Sequence, residues 1–161
     1  MQLLRTAIMI MLALVCCPSL SAMGKAKTKF IVSFHLETDE NMNPKLTFSQ
    51  MTNGKARFYR RMPEISTNDI VSFAPFPTDN GTGYGVVFKL KDNAARRLNS
   101  VTNMNQGRWL LAQVNGRVAD GVMIDQPVSD GMIVVWKDVT AEDIALFEES
   151  LPRINEEKKK K

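Results

Sequence analysis

Residues 84–151, YGVVFKLKDNAARRLNSVTNMNQGRWLLAQVNGRVADGVMIDQPVSDGMIVVWKDVTAEDIALFEESL, carry the clearest secondary-structure signals in this chain. β-prone residues fill Gly85–Leu90 and predict a strand. Apolar residues then recur at helical spacing through 94–102, and Asp92 is placed to cap this helix by accepting hydrogen bonds from its first turn. Gly107 suits the left-handed position that ends a helix. The stretch therefore begins with a strand followed by a helix.

A hairpin, a strand and a second helix complete the stretch. Asn115-Gly116 lies between two apolar segments and predicts a two-residue turn, because both residues accept a positive φ. Met132–Trp136 predicts a further strand, and Thr140 supplies a hydroxyl cap for a helix that ends near Leu151. The inward faces carry the expected core: Phe88, Leu90, Leu98, Leu110, Val114, Ile133, Val135 and Phe147. This order predicts an α+β fold, an antiparallel sheet with two helices packed on one face.

Three strands are predicted within residues 30–62, and a further extended segment over Asp69–Ala74. Phe30–Glu37 alternates apolar and polar residues, which places His35 on the wet face of the first strand. A second strand follows, with Leu46 and Phe48 expected to point inward. Asn53-Gly54 predicts a tight turn into the third strand. We expect these strands to form an N-terminal β-meander.

Residues 1–22 have the three parts of a secretory signal peptide. Arg5 supplies the positive start, Ala7–Val15 the apolar run, and Pro18–Ala22 the small-residue exit. The run is too short to cross about 30 Å of hydrocarbon, which argues against a membrane anchor. Lipidation at Cys17 is an alternative route of processing. We expect the mature protein to be periplasmic or secreted, in the envelope of a bacterial cell.

The formal net charge of the chain is +4, but the residues that produce this excess lie outside the expected folded domain. Arg5 leaves with the leader and four lysines form the run Lys158–Lys161, so the folded part is close to neutral. No nucleic-acid partner is expected, because no basic face supports one. Membrane contact is expected only through lipidation at Cys17 or through the Lys158–Lys161 tail. The predicted divisions are a signal peptide over 1–22, a disordered lead-in over 23–29, the β-meander over 30–62, an α+β domain over 63–154 and a charged, disordered tail over 155–161.

No catalytic residue, cofactor or metal site is expected from the composition. His35 is the single histidine, and no candidate nucleophile adjoins it in sequence. Both cysteines, Cys16 and Cys17, leave with the leader, which argues against thiol chemistry, a structural zinc site and haem attachment. Burial alone must therefore hold the mature fold in an oxidising compartment.

The block Gly85–Leu146 resembles the head of the first periplasmic region of SecD, the accessory subunit of the bacterial protein-export channel. The residues that carry the resemblance are, in chain order, Val86–Leu90, Ala94-Ala95, Thr102–Gly107, Ala112–Val114, Asn115–Val118, Gln126–Gly131 and Thr140–Ile144. Upstream, Ile65–Ile70 resembles the segment that precedes the head. Two positions depart from the family pattern: Asn115 replaces a turn aspartate, and Val122 stands where a proline is usual.

The resemblance implies a fold and a binding role. The SecD head is an α+β domain without catalytic residues, and the likeness implies contact with unfolded or translocating polypeptide. The sequence shows no counterpart of the membrane helices through which SecD uses the proton gradient. Energy coupling is therefore not implied.

Two functions remain open at this point. The first is an exported, non-enzymatic envelope protein, linked to protein export, that binds a protein or an extended polypeptide at exposed strand edges. The candidate residues on such edges are Arg57, Tyr59 and Val118. The alternative is a small exported enzyme or inhibitor whose site is assembled from scattered residues, such as His35, Asp120 and Asp125. An apolar groove beside an open strand edge would favour the first function, and those three side chains in one pocket would favour the second.

Overall fold

A computed structural model describes residues 30–79, 81 and 83–156. The predicted signal peptide, the lead-in, Cys17 and the Lys158–Lys161 tail lie outside these residues. The elements of the described part are β1 (Val32–Thr38), β2 (Thr47–Thr52), β3 (Lys55–Arg60), β4 (Ile65–Ser66), β5 (Ile70–Pro77), β6 (Tyr84–Leu90), α1 (Asp92–Met104), β7 (Trp109–Val114), β8 (Arg117–Met123), β9 (Met132–Val139) and α2 (Ala141–Ser150). The predicted α+β class is confirmed, as is the order strand, helix, hairpin, strand, helix from β6 to α2. Neither helix of the described part is long and apolar enough to cross a membrane.

The strands form two antiparallel sheets. The sequence had predicted an N-terminal β-meander followed by one sheet. The larger sheet has the order β2-β3-β1-β7-β8, with β4 also pairing with β1, and the smaller sheet has the order β5-β6-β9. The N-terminal region is rich in strands, as expected. Its strands are not in the sequential order of a meander, because β3 lies between β1 and β2. A two-residue turn holds β2 against β3, whereas residues 39–46 form a longer connection that does not require β1 to pair with β2. The free side of β1 pairs with β7, so residues 30–62 share a sheet with the β7–β8 hairpin.

Both predicted hairpin turns are confirmed. Asn53 and Gly54 have φ values of 50° and 73°, and Asn115 and Gly116 have φ values of 49° and 79°. Two consecutive positive φ values are the signature of the turn whose twist matches paired strands. These turns fix the register of β2 on β3 and of β7 on β8.

The start of α1 differs from the prediction, since Lys91 and not Asp92 is the N-cap. Lys91 has extended backbone angles and its carbonyl accepts the N–H of Ala95 at 2.8 Å, so Asp92 is already the first helical residue. A carboxylate in the first turn still favours the helix through the macrodipole. Gly107, with φ of 83°, takes the expected left-handed conformation after the helix.

The predicted cap of α2 is confirmed and also fastens the helix to the β7–β8 turn. The Thr140 hydroxyl accepts the N–H of Asp143 at 3.2 Å, and the Asp143 carboxylate accepts the N–H of Thr140 at 2.9 Å. Asn115 and Arg117 also donate to Asp143, at 2.6 and 2.5 Å. Burial works to raise the pKa of Asp143, but the hydrogen bonds from Thr140 and Asn115 and the charge of Arg117 hold that pKa below its ordinary value.

One hydrophobic core joins the two sheets and both helices. The Phe147 ring of α2 lies edge-on to Phe30, Phe73 and Phe88, with centroid distances of 5.1, 5.6 and 5.4 Å. Seven of the eight predicted core residues are buried, and the eighth, Leu110, is partly buried against the same cluster. A single core side chain thus ties the start of β1 to the smaller sheet.

Leu46 was expected to point inward, and that prediction is wrong. Leu46 is 59% exposed, because it precedes β2 in the turn and the strand begins its buried face at Thr47. Its carbonyl accepts the N–H of Arg61 at 2.8 Å. Phe48 is half-buried and packs edge-on against His35, at 5.2 Å between ring centroids.

Candidate functional site

Two of the three predicted edge residues lie inside the larger sheet, so their assignment to an edge is wrong. Arg57 and Tyr59 belong to β3, which lies between β2 and β1. Tyr59 is fully buried and its hydroxyl donates to Thr52 Oγ1 at 2.8 Å. Arg57 pairs with Glu37 at 2.8 Å and its guanidinium lies 4.7 Å from the centre of the Trp109 ring. Charge and aromatic character here serve contacts within the curled sheet.

Val118 lies on a true edge, because β8 ends the larger sheet. This edge faces β9, which ends the smaller sheet, and no β-ladder joins β8 to β9 among the described residues. The Asp120 carboxylate bridges them instead. It accepts the N–H of Gly121 at 2.8 Å through Oδ1 and the N–H of Trp136 at 2.9 Å through Oδ2. We call this junction between β8 and β9 the seam.

Irregular backbone on both sides accompanies the open seam. The β7–β8 register shifts between Ala112 and Gln113, and the β6–β9 register shifts between Tyr84 and Val86. The second shift inserts extra residues into β9, where Asp138 has a φ of 59°. An extra residue bends a strand and interrupts regular pairing. The two facing edges therefore come close without forming a ladder.

An apolar cleft of about 330 Å³ opens at one end of the seam. We call it the seam cleft. Its strand-edge walls are Val122, Met123, Met132, Val134 and Trp136, and its floor includes Leu98, Thr102 and Leu110. Three wall residues are notably exposed for apolar side chains: Val122 at 37%, Met123 at 49% and Trp136 at 56%. A cluster of exposed apolar side chains in a concavity is typical of a binding surface.

Backbone polar groups also point into the seam from both walls. Ile124 donates to the carbonyl of Arg108 at 2.8 Å, on the β7 side. Because alternate residues of an antiparallel strand direct their polar groups to opposite sides, Met123 turns its own N–H and C=O away from β7. By the same alternation Val134 lies in phase with Trp136, whose N–H already reaches into the seam. The seam thus combines apolar side chains with strand-edge donors and acceptors.

The three residues of the enzyme alternative are not brought together. Asp120 bridges the seam, Asp125 lines the rim of the seam cleft, and His35 lies on β1 and lines neither. His35 was expected on a wet face and is instead buried, with 6% exposure. Its Nδ1 lies 2.8 Å from the carbonyl oxygen of Arg60 and its Nε2 lies 2.9 Å from Ser33 Oγ. Both ring nitrogens are therefore engaged in the fold.

Burial lowers the pKa of His35, although its bond to the Arg60 carbonyl and the nearby Glu64 charge oppose that shift. The ring is therefore neutral and enclosed near neutral pH. Within residues 30–79, 81 and 83–156, no group of three or more histidine, cysteine, aspartate and glutamate side chains could hold a metal ion.

A second, more polar cleft of about 370 Å³ lies beside Val118. Trp109 and Lys137 contribute to its lining, as does Gly121, where a β-carbon would come within 2.5 Å of the Thr52 methyl group. Val118 therefore marks the polar end of the seam, and the seam cleft marks its apolar end.

Sequence reasoning named only Val118 on this edge and missed Met123 and Trp136. Two signals were present in the sequence: an Asp-Gly pair at 120–121 inside an apolar strand, and a tryptophan on the less buried phase of β9. Neither signal reveals by itself that the two strands face each other.

No protein-family model and no curated protein sequence matches this chain. Its fold is similar to that of solved SecDF structures. One is described as "Structure and function of a membrane component SecDF that enhances protein export"; it is 16% identical, with a TM-score of 0.54, over 77% of this chain and 64% of that chain. Another, "Crystal structure of SecDF in Super-membrane-facing form", is 17% identical, with a TM-score of 0.53, over 76% of this chain and 19% of that chain.

The SecD-like fold predicted from the motifs over Gly85–Leu146 is therefore confirmed. The chain spans less than two thirds of the length of either of these two SecDF chains. At these identities the likeness concerns the fold.

Proposed function

We propose that this protein is an exported, non-enzymatic protein of the bacterial cell envelope that binds an extended segment of another polypeptide along the seam. The observation that carries the proposal is the seam cleft itself, an apolar concavity between two strand edges that lack a ladder. An extended chain can add its backbone hydrogen bonds to such an edge while its side chains fill the apolar pocket.

The bound segment would lie against β8, with apolar side chains over Leu110 and Val122. Met123 and Val134 would supply backbone donors and acceptors from the two walls. Asp120 already satisfies the amides of Gly121 and Trp136, so these two donors have a partner when the seam is empty, and the groups of Met123 and Val134 stay open to a bound chain. Val118, on the same edge beyond Asp120, would contact a segment that continues past the carboxylate.

A link to protein export is supported by the shared fold, since one SecDF structure is described as a membrane component that enhances protein export. The predicted signal peptide over 1–22 supports a periplasmic or secreted location, where translocated chains emerge. An export role of this kind requires that the protein bind an unfolded polypeptide, so polypeptide binding is tested first.

The experiment measures capture of a reduced, alkylated protein that stays unfolded, using fluorescence anisotropy with the purified exported protein. Met123→Asp places a charge in the seam cleft and should weaken capture at least about tenfold, because a desolvated carboxylate opposes apolar contact. The matched control is Met104→Asp, which puts the same charge on a residue that is 75% exposed and does not line the cleft.

The two variants separate the outcomes. Equal capture by both variants would place binding elsewhere, and no capture by the unaltered protein would refute the proposal. For the export link, a photoreactive side chain at position 123 should crosslink a stalled secretory precursor in intact cells, and one at position 104 should not.

A further inference from the structure

The charges at the rim of the seam cleft indicate which kind of polypeptide segment the cleft would bind. This inference rests on the proposed function. Two residues of the lining carry charge, Asp125 and Asp130, and both are exposed carboxylates. No lysine, arginine or histidine is among the cleft residues in the described part of the chain. The rim therefore has one sign of charge around an apolar interior.

The fold places both carboxylates at the end of the cleft where β8 ends and β9 begins. The N–H of Ile124 donates to the carbonyl of Arg108, the residue just before β7, at 2.8 Å. Asp125 follows Ile124 and therefore lies just beyond the last hydrogen bond between the β8 segment and the β7 segment. Asp130 is held at the start of β9, because its Oδ1 accepts the N–H of Met132 at 2.9 Å. Two negative charges therefore face the same mouth of the seam cleft.

We propose that the seam cleft selects extended segments in which a basic residue adjoins an apolar run. The apolar side chains pack against Leu110, Met123 and Trp136 in the cleft. The ammonium or guanidinium group lies near Asp125 and Asp130. A segment with an acidic residue at that position meets repulsion from both carboxylates. Charges at the rim of a binding site act mainly on the association rate and are screened by salt.

The test uses three fluorescently labelled peptides with one apolar run and a lysine, a glutamine or a glutamate beside it. At low salt, the lysine peptide should bind the unaltered protein about two- to fivefold more tightly than the glutamine peptide, the range of an exposed ion pair. The glutamate peptide should bind more weakly than both. Raising the salt concentration should bring the three affinities together.

Asp125→Asn combined with Asp130→Asn should abolish the order of affinities while the glutamine peptide still binds. Asparagine keeps a side-chain oxygen that can accept from Met132, so the turn before β9 is retained. The matched control is Asp79→Asn, which removes the same charge from the β5–β6 loop, near the Tyr84↔Val139 end of the smaller sheet and away from Met132.

The outcomes distinguish this inference from the proposed function. Equal affinities for the three peptides, or a preference that survives in the double variant, would overturn charge selection and leave polypeptide binding intact. Failure of all three peptides to bind would overturn both. The peptide series on the unaltered protein decides the matter even where the double variant does not fold.

Discussion

The junction between β1 and β7 and the seam between β8 and β9 bring strands together in opposite ways. The first is a regular antiparallel ladder that runs from the pair Val32↔Val114 to the pair Leu36↔Leu110. The second is held by the Asp120 carboxylate and leaves apolar side chains exposed beside it. The ladder contributes to stability, because Val32, Phe34, Ala112 and Val114 belong to the shared core. The seam lacks such pairing and leaves Val122, Met123 and Trp136 partly exposed.

The largest effect should come from the core behind the ladder. Phe147→Ala should lower the free energy of unfolding by about 3–5 kcal/mol, since it empties a buried site that three other phenylalanine rings surround. Denaturant unfolding measures the loss. Met104→Ala, at an exposed position, should change stability by no more than about 0.5 kcal/mol and is the control. A small loss for Phe147→Ala would mean that the two sheets do not depend on one core.

A smaller effect is expected at the seam, where Asp120→Ala removes the acceptor of two backbone amides. The free energy of unfolding should fall by about 1–3 kcal/mol, because two part-buried hydrogen bonds are lost and each contributes about 0.5–1.5 kcal/mol. Hydrogen exchange should accelerate at the amides of Gly121 and Trp136 and stay slow at those of the β1–β7 ladder. Asp120→Asn keeps one acceptor oxygen, so its free energy of unfolding should lie between those of Asp120→Ala and the unaltered protein. Uniform acceleration throughout both sheets would show that the seam is not a separate weak point.

The parts of this comparison that were predictable from sequence are those set by local chemistry. Positive-φ turns at 53–54 and 115–116, the Thr140 cap and the apolar face of α1 follow from a few neighbouring residues. The seam was not predictable, because it depends on which distant strands become neighbours and on bulges that alter their register. Arg57 illustrates the limit: its charge suggests an edge, but its partner Glu37 comes from a strand 20 residues away.

The prediction that His35 lies on a wet face is wrong for a related reason. The burial of this side chain also provides a test of the packing around β1. A polar face on a strand is wet only when nothing covers it, and here the Phe48 ring and the Arg60 carbonyl enclose the imidazole. Burial lowers the pKa of His35 in the folded chain below its ordinary value of 6.5. The unfolded chain therefore binds more protons in the window below 6.5, so the free energy of unfolding should fall as the pH is lowered through it.

Denaturant unfolding between pH 7.5 and 5 measures that slope, and His35→Gln should flatten it. The carboxylates Asp69 and Asp143, whose pKa values are lowered, lose their contribution only at more acidic pH, below their ordinary value of 3.8. An unchanged slope in the variant would assign the pH dependence to another group. Peptide capture at pH 7.5 should be the same for His35→Gln as for the unaltered protein, because His35 does not line the seam cleft.

The smallest effect should be that of Val118→Pro. This variant tests how far along the seam a bound chain extends. The pairing of Val114 with Arg117 beside the turn directs the N–H of Val118 away from β7, so proline removes a donor that the ladder does not use. Stability should change by no more than about 0.5 kcal/mol. Capture of the unfolded protein should weaken by the worth of one hydrogen bond, about 0.5–1.5 kcal/mol. Unchanged capture would confine the bound segment to the seam cleft, since a chain that continues past Asp120 must meet this N–H.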